Sequence, residues 1–200
     1  VGIGYDGDAD RIGAVDEKGD VLWGDRLLVV YARDILAVKP GGAIISEVKA
    51  SQSLYDDIAA KGGRPIMWKT GHSLIKAKMK EESAVLAGEM SGHMFFADRY
   101  FGYDDAVYAS CRLIEILAKG TQPLSALVSD LPKTVVTPEI RVDLSDAVKF
   151  DVVRSIQTRF ADYLKTKQSL GPANLVLRDL ITIDGVRAVF DGGWGLIRAS

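Results

Sequence analysis

Apolar positions along the chain change period, and those changes mark out the elements. A short strand opening at Val1 runs into an acidic loop. Residues 12–15 and 21–23 read as strands around the turn Asp16-Glu17-Lys18-Gly19, which predicts a hairpin. From 25 to 38, Leu27, Leu28, Tyr31, Ile35 and Val38 recur at helical spacing until Pro40-Gly41-Gly42 stops them. A strand at 43–48 follows. Next come a helix capped by Ser51 with Leu54 and Ile58 on one face, a strand at 65–68, a basic helix at 73–82 and a strand at 84–87. This is a βαβαβ unit, whose crossovers put the loops after the strands along one sheet edge. A strand at 94–96 precedes an amphipathic helix at 104–117, in which Val107, Cys111 and Ile114 share a face and read as buried packing. A short helix at 124–131 ends at Pro132. From Lys133 the pattern becomes a strand, a long helix at 146–164 and two or three further strands, with Asp184-Gly185 as a tight hairpin turn. The fold class expected is α/β with a mixed sheet, followed by an α+β domain.

Composition narrows the class. With 48% hydrophobic and 26% charged residues the 200-residue chain suits globular packing, and a net charge of −2 without a basic stripe argues against nucleic acid. No apolar run is long enough for a membrane helix. The single cysteine, Cys111, leaves no partner for an intrachain disulfide and fits a reducing cytoplasm. Both ends read as cut, which leads us to expect a piece of a longer protein.

Asp6-Gly7-Asp8-Ala9-Asp10-Arg11 is the strongest chemical signal. Three carboxylates in one short loop repel unless a cation sits among them. Hard oxygen donors without His or Cys beside them favour magnesium over zinc. Arg11 adds a guanidinium suited to phosphate, so the loop suggests phosphoryl chemistry. An EF-hand is excluded: Glu17 falls at its twelfth position, but Arg11 takes the sixth, where the turn needs glycine. The strand-end loops carry Lys49, then Thr70-Gly71-His72, then Glu89-Met90-Ser91-Gly92-His93. Both histidines of the chain thus fall on the same predicted edge, which marks a functional site. The plainer alternatives are that Thr70 and Ser73 are helix caps and Lys49 a solvated lysine.

Asp6–Arg11, Thr70-Gly71-His72-Ser73, Gly88–His93, Gly102-Tyr103-Asp104-Asp105 and Arg198-Ala199-Ser200, in this order, resemble the α-D-phosphohexomutases. Their bacterial phosphomannomutase/phosphoglucomutase branch is the most similar. The resemblance implies four domains around a cleft. Residues 1–20 would be the tail of domain 2, 21–132 the α/β sugar-binding domain 3, and 133–200 a truncated TATA-binding-protein-like α+β domain 4. It implies interconversion of hexose 6-phosphate and hexose 1-phosphate, of mannose and glucose, through a phosphoserine and a 1,6-bisphosphate intermediate. The phosphoserine belongs to the missing N-terminal domains, so the chain alone is expected to be inactive. Mg²⁺ would be held by Asp6, Asp8 and Asp10. Arg11, His72 and Lys49 would be catalytic, with His72 the best candidate for proton transfer. Glu89, Ser91, His93, Arg198 and Ser200 would bind substrate. Two rivals remain. A phosphoglucosamine mutase usually has Gln in place of Met90; a non-catalytic sugar-phosphate or metal-binding fragment would lack the nucleophile loop upstream.

Overall fold

The acidic loop is the connection of a hairpin. β1 (Gly2–Tyr5) pairs antiparallel with β2 (Ile12–Val15), Tyr5 opposite Ile12, so residues 6–11 span the gap. This comes from a computed structural model that describes residues 1–167, 169–171 and 174–199. β2 continues to β3 (Val21–Leu22) across a turn in which Asp16 Oδ1 accepts the Lys18 and Asp20 amides. Ile12, Ala14 and Leu22 join the apolar cluster that holds the first helix, which binds the hairpin into the unit Val1–Lys133.

That helix, α1 (Gly24–Val38), buries Leu27, Leu28, Tyr31 and Ile35 as their spacing predicts, but also Val29 and Val30. Val38, expected on the buried stripe, is 75% exposed. After it come β4 (Ala43–Glu47), α2 (Gln52–Ala60), β5 (Arg64–Trp68), α3 (His72–Glu82), β6 (Leu86–Gly88) and β7 (Met94–Phe96). The sheet order is β5-β4-β6-β7, with β4 parallel to both neighbours and β7 antiparallel to β6. Side-chain alternation divides the core. Ile44, Leu86, Met94 and Phe96 face the cluster built with α1, α2 and α4 (Ala106–Lys119); Ile45, Ala87 and Phe95 face Ile75 and Met79 of α3. Ser46 lies opposite Met67 and Gly88, so the ends of β4, β5 and β6 finish level. Ser51 stands at the N-cap of α2, but its hydroxyl meets that of Ser53 rather than an amide.

α4 turns one side of its expected stripe outward, while Tyr108 and Leu117 pack against the core. Val107 and Ile114 are more than half exposed, and Cys111 is exposed with them. Ala106, Ala109, Ser110, Arg112 and Leu113 lie inside instead. Apolar residues occur on more than one side of this helix, so period alone could not choose. The decision rests on Arg112, whose buried guanidinium lies 3.1 Å from Asp98 Oδ2 and 4.7 Å from the Phe96 ring. The helix expected at 124–131 is a short 3-10 turn, Leu124–Val128, followed by buried Leu131.

In the unit Thr134–Ser200, α5 (Asp146–Thr166) precedes four described strands: β8 (Ser169–Leu170), β9 (Leu175–Ile181), β10 (Val186–Phe190) and β11 (Gly193–Ile197), in the antiparallel order β11-β10-β9-β8. Asp184-Gly185 makes the predicted hairpin, and a Cβ on Gly185 would meet Ile197 O at 2.4 Å. The strand expected directly after Lys133 is absent. Residues 134–145 form no regular element, and Val135, Val136, Ile140 and Val142 are exposed. An alternating pattern makes a strand only where a neighbour accepts its ladder, and Pro138 removes one donor from it. No helix among the described residues is long and apolar enough to cross a membrane.

Candidate functional site

The acidic loop is shaped by its backbone. Ala9 takes a left-handed φ of +58°, its amide donates to Asp6 O at 3.3 Å, and its carbonyl accepts from Ala106 N at 3.1 Å. This folds Asp6, Asp8 and Asp10 inward, until one oxygen of each lies within 4.8 Å of the others. Arg11 Nε stands 3.1 Å from Asp6 Oδ2 and 3.6 Å from Asp10 Oδ1. The latter is too long for a hydrogen bond, and Asp10 Oδ1 is buried without one. Burial pushes the Asp10 carboxyl up, with Asp8 and Asp6 adding to the effect and His93 opposing it. Burial acts on Asp6 too, but the Arg11 amide, Asp10 and the Arg11 guanidinium together hold its carboxyl below the usual range. One guanidinium for three acids leaves a charge deficit that a divalent cation would offset. The all-oxygen donor set and the unpartnered buried oxygen fit magnesium.

The loop is sewn to the one between β6 and β7. Arg11 and His93 form an isolated backbone bridge, and Ile12 N donates to Gly92 O at 3.1 Å. Gly92 has φ +97°, and a Cβ there would sit 2.5 Å from Ile12 O, so only glycine allows the approach. Gly24 plays the same part below, where a Cβ would meet Glu89 O at 2.2 Å. The sequence thus places the predicted metal ligands directly against the predicted sugar loop.

Two buried carboxylates fasten the remaining loops. Glu89, 4% exposed, accepts the Gly71 amide at 2.7 Å through Oε1. Glu47, fully buried at the end of β4, accepts the Met90 amide at 2.9 Å through Oε1 and the Thr70 hydroxyl at 2.5 Å through Oε2. Lys49, about one-third exposed, stands 3.5 Å from Glu47 Oε2. Thr70 is therefore not the helix cap; Gly71, at φ +128°, holds that position. Burial pushes the Glu89 carboxyl up, with Glu47 adding to it against the Gly71 amide, His93 and Lys49. Ser91 is exposed at the tip of its loop. Sequence reasoning missed Glu47. Its signal was an acid closing the otherwise uncharged run Ala43-Ile44-Ile45-Ser46 in a strand covered on both faces.

Asp104 gathers both histidines. Its Oδ2 lies 3.0 Å from His93 Nδ1 and 3.7 Å from His72 Nδ1, and its Oδ1 3.0 Å from Lys76 Nζ. The imidazoles stack with centroids 5.7 Å apart and planes 15° from parallel. Burial would raise the Asp104 carboxyl, but Lys76, its own amide and His93 hold it below the usual range. Asp104 and Lys76 were also missed as members of the site, although Asp104 belongs to a motif that the sequence made visible. Asp10, His93 and Asp104 form a second group with ligand atoms within 4.8 Å, so Asp10 belongs to both.

Within the second unit, Arg198 Nε pairs with Asp184 Oδ2 at 2.8 Å, and Ser200 lies outside the described residues. Two clefts of about 260 and 330 Å³ run along α5 there, and no candidate site residue lines either.

Residues 23–135 match a family model described as phosphoglucomutase/phosphomannomutase, alpha/beta/alpha domain III. The whole chain is 46% identical over 200 residues to a phosphomannomutase/phosphoglucomutase of Pseudomonas putida, covering 40% of that protein. To a phosphoglucomutase of Neisseria meningitidis it is 42% identical over 200 residues, covering 41%. A solved phosphoglucomutase/phosphomannomutase family protein from Burkholderia thailandensis superposes with a TM-score of 0.83 at 41% identity, over 100% of this chain and 39% of that one. The chain spans about 40% of the length of the relatives it matches.

Proposed function

The chain belongs to the phosphoglucomutase/phosphomannomutase family, and from that premise we propose that it is the metal-binding and sugar-binding part of a cytoplasmic hexose-phosphate mutase. The parent enzyme interconverts the 6-phosphate and 1-phosphate of glucose and mannose, and its phosphoserine lies on the part outside these 200 residues. The observation that carries this reading is the backbone joint between Arg11–Ile12 and Gly92–His93, which sets the carboxylate cluster beside the Glu89–His93 loop.

Asp6, Asp8 and Asp10 would hold a magnesium ion, which supplies positive charge against a phosphoryl group. Arg11, whose side chain is 51% exposed, is accessible to phosphate oxygens beside that cluster. Lys49 adds a cation at the next strand end. Glu89 and Ser91 hydrogen-bond ring hydroxyls at C3 and C4, which have the same configuration in glucose and mannose, so the loop leaves C2 unread. His72 holds or moves a proton at the hydroxyl that gains or loses the phosphoryl group, and His93 binds the substrate beside it. Arg198 and Ser200 bind the phosphate that is not reacting. The bisphosphate stays within the parent's cleft between the two transfers.

The test is an assay of the full-length parent with magnesium on glucose 1-phosphate and mannose 1-phosphate. We expect conversion of both, and none by the 200-residue chain alone, because covalent relay needs the nucleophile. A parent inactive on both sugars, or a chain active by itself, overturns the proposal. Glu89→Ala in the parent should lower kcat/KM for both sugars by a similar factor, about 1.5 to 3 kcal/mol. A loss confined to one epimer would mean that this loop reads C2.

A further inference from the structure

We infer that Glu47 is a positioning residue that acts through Lys49, holding its ammonium at the sheet edge by charge while leaving its donors to a ligand. The functional sense of this rests on the reading of Lys49 as a cation of the hexose-phosphate site. The backbone around Lys49 is fixed on both sides. Where β4 ends, Val48 N donates to Trp68 O at 3.1 Å, Ala50 N to Glu47 O at 3.0 Å and Ser51 N to Asp25 Oδ2 at 3.1 Å. Val48 and Ala50 are fully buried, and the Tyr55 hydroxyl of α2 donates to Glu47 O at 2.7 Å. Between them Lys49 keeps about one-third of its side chain in water. What the backbone leaves open is where a flexible four-carbon stem puts its charge.

Glu47 decides that. Its side chain is fully buried, with Oε1 on the Met90 amide at 2.9 Å and Oε2 on the Thr70 hydroxyl at 2.5 Å. β4 lies between β5 and β6, so these two bonds reach the loops that follow both neighbouring strands. Held from two sides, the carboxylate cannot swing, and the ammonium must come to it. Lys49 Nζ stands 3.5 Å from Oε2. This is a Coulomb contact, too long for a hydrogen bond, and salt screens it weakly because the acid is out of water. An ammonium carries three donors. Pairing by charge alone keeps Nζ in place without using them, which suits a cation that has to grip an anionic oxygen. Glu89, in the loop after β6, is the second acid within reach of the Lys49 charge, and its side chain is already committed to the Gly71 amide at 2.7 Å.

Glu47→Gln separates this tether from the clasp. Its amide oxygen can keep the Met90 amide and its NH₂ can give to the Thr70 hydroxyl, but Lys49 then faces a donor where a negative charge stood. We expect the 200-residue variant to keep a urea midpoint close to the wild type. In the full-length parent with magnesium, the same change should lower kcat/KM on glucose 1-phosphate by about tenfold. Lys49→Met should lower it at least as far. Adding Glu47→Gln to Lys49→Met should cost nothing more, because a residue that acts through Lys49 has no effect once Lys49 is gone.

Wild-type kcat/KM in Glu47→Gln or in Lys49→Met overturns the inference. So does an equal loss from Glu47→Gln in both backgrounds, which would mark a purely structural role. A readout free of catalysis goes with these. In the 200-residue protein, Lys49→Met takes the counter-charge from a buried carboxylate and should lower the urea midpoint; a midpoint equal to the wild type overturns the inference. That measurement decides the matter should Glu47→Gln not fold or the parent prove inactive on hexose phosphates. An inactive parent sinks the hexose-phosphate reading, whereas a lowered midpoint leaves the Glu47–Lys49 tether standing.

Discussion

Glu47 and Asp10 are both acids drawn out of water, and the fold treats them in opposite ways. Glu47 has one oxygen on the Met90 amide and the other on the Thr70 hydroxyl. Asp10 has a buried oxygen with no hydrogen bond, beside two further acids and one arginine. A carboxylate matched by the protein's own donors works as a fastener, here tying the loop before α3 to the loop after β6. A carboxylate left short of donors raises the cost of the empty loop and lowers the cost of binding a cation. The clasp should therefore matter most for stability and the acidic loop most for binding.

The largest effect should come from Glu47→Ala. It removes the acceptor of the Met90 amide and of the Thr70 hydroxyl and the carboxylate beside Lys49 in one change, and should cost about 3 kcal/mol, read as a lower urea midpoint. A midpoint equal to the wild type would break the contrast at once. Gly92→Ala probes the joint between the two regions. Its Cβ would fall 2.5 Å from Ile12 O at a φ of +97°, and we expect a loss of about 2 kcal/mol, with amide shifts in both the acidic loop and the Glu89–His93 loop. Shifts confined to one loop would show that the regions are independent.

Asp8→Asn should leave the urea midpoint unchanged or slightly raised, since it relieves repulsion, while weakening magnesium by about tenfold in calorimetry. Equal affinity for the two forms would remove the metal assignment. The smallest effect concerns pH. Burial raises the Glu89 carboxyl above its ordinary 4.5, so the folded chain holds that proton more tightly than the unfolded one. Stability from this group is present below 4.5 and falls as pH rises from there through the folded value. Asp98 has the reverse sign. Burial would raise it, but Lys39 and Arg112 hold it below 3.8, so its stabilisation is complete above 3.8 and is lost as pH falls through the folded value. Glu89→Gln should thus gain stability at neutral pH relative to acid conditions, in paired urea titrations. An identical pH slope in the variant would place the Glu89 burden elsewhere.

The sequence by itself determined the order of strands and helices through β7, the hairpin turns at Asp16–Gly19 and Asp184-Gly185, the crowding of three acids in one loop and the placement of both histidines beyond strand ends. These features follow from local chemistry: side-chain period, glycine and proline punctuation, and like charges crowded within six residues. Only the tertiary structure decided that Val107, Cys111 and Ile114 face outward, because Arg112 had to reach Asp98, which belongs to another element. It also decided that residues 134–145 stay out of any sheet, since a strand needs a neighbour that no pattern can supply. Glu47, Lys76 and Asp104 entered the site in the same way. An acid or a lysine has no fixed role of its own, and whether it fastens a loop, gathers two histidines or waits for a cation depends on which donors arrive from residues far along the chain.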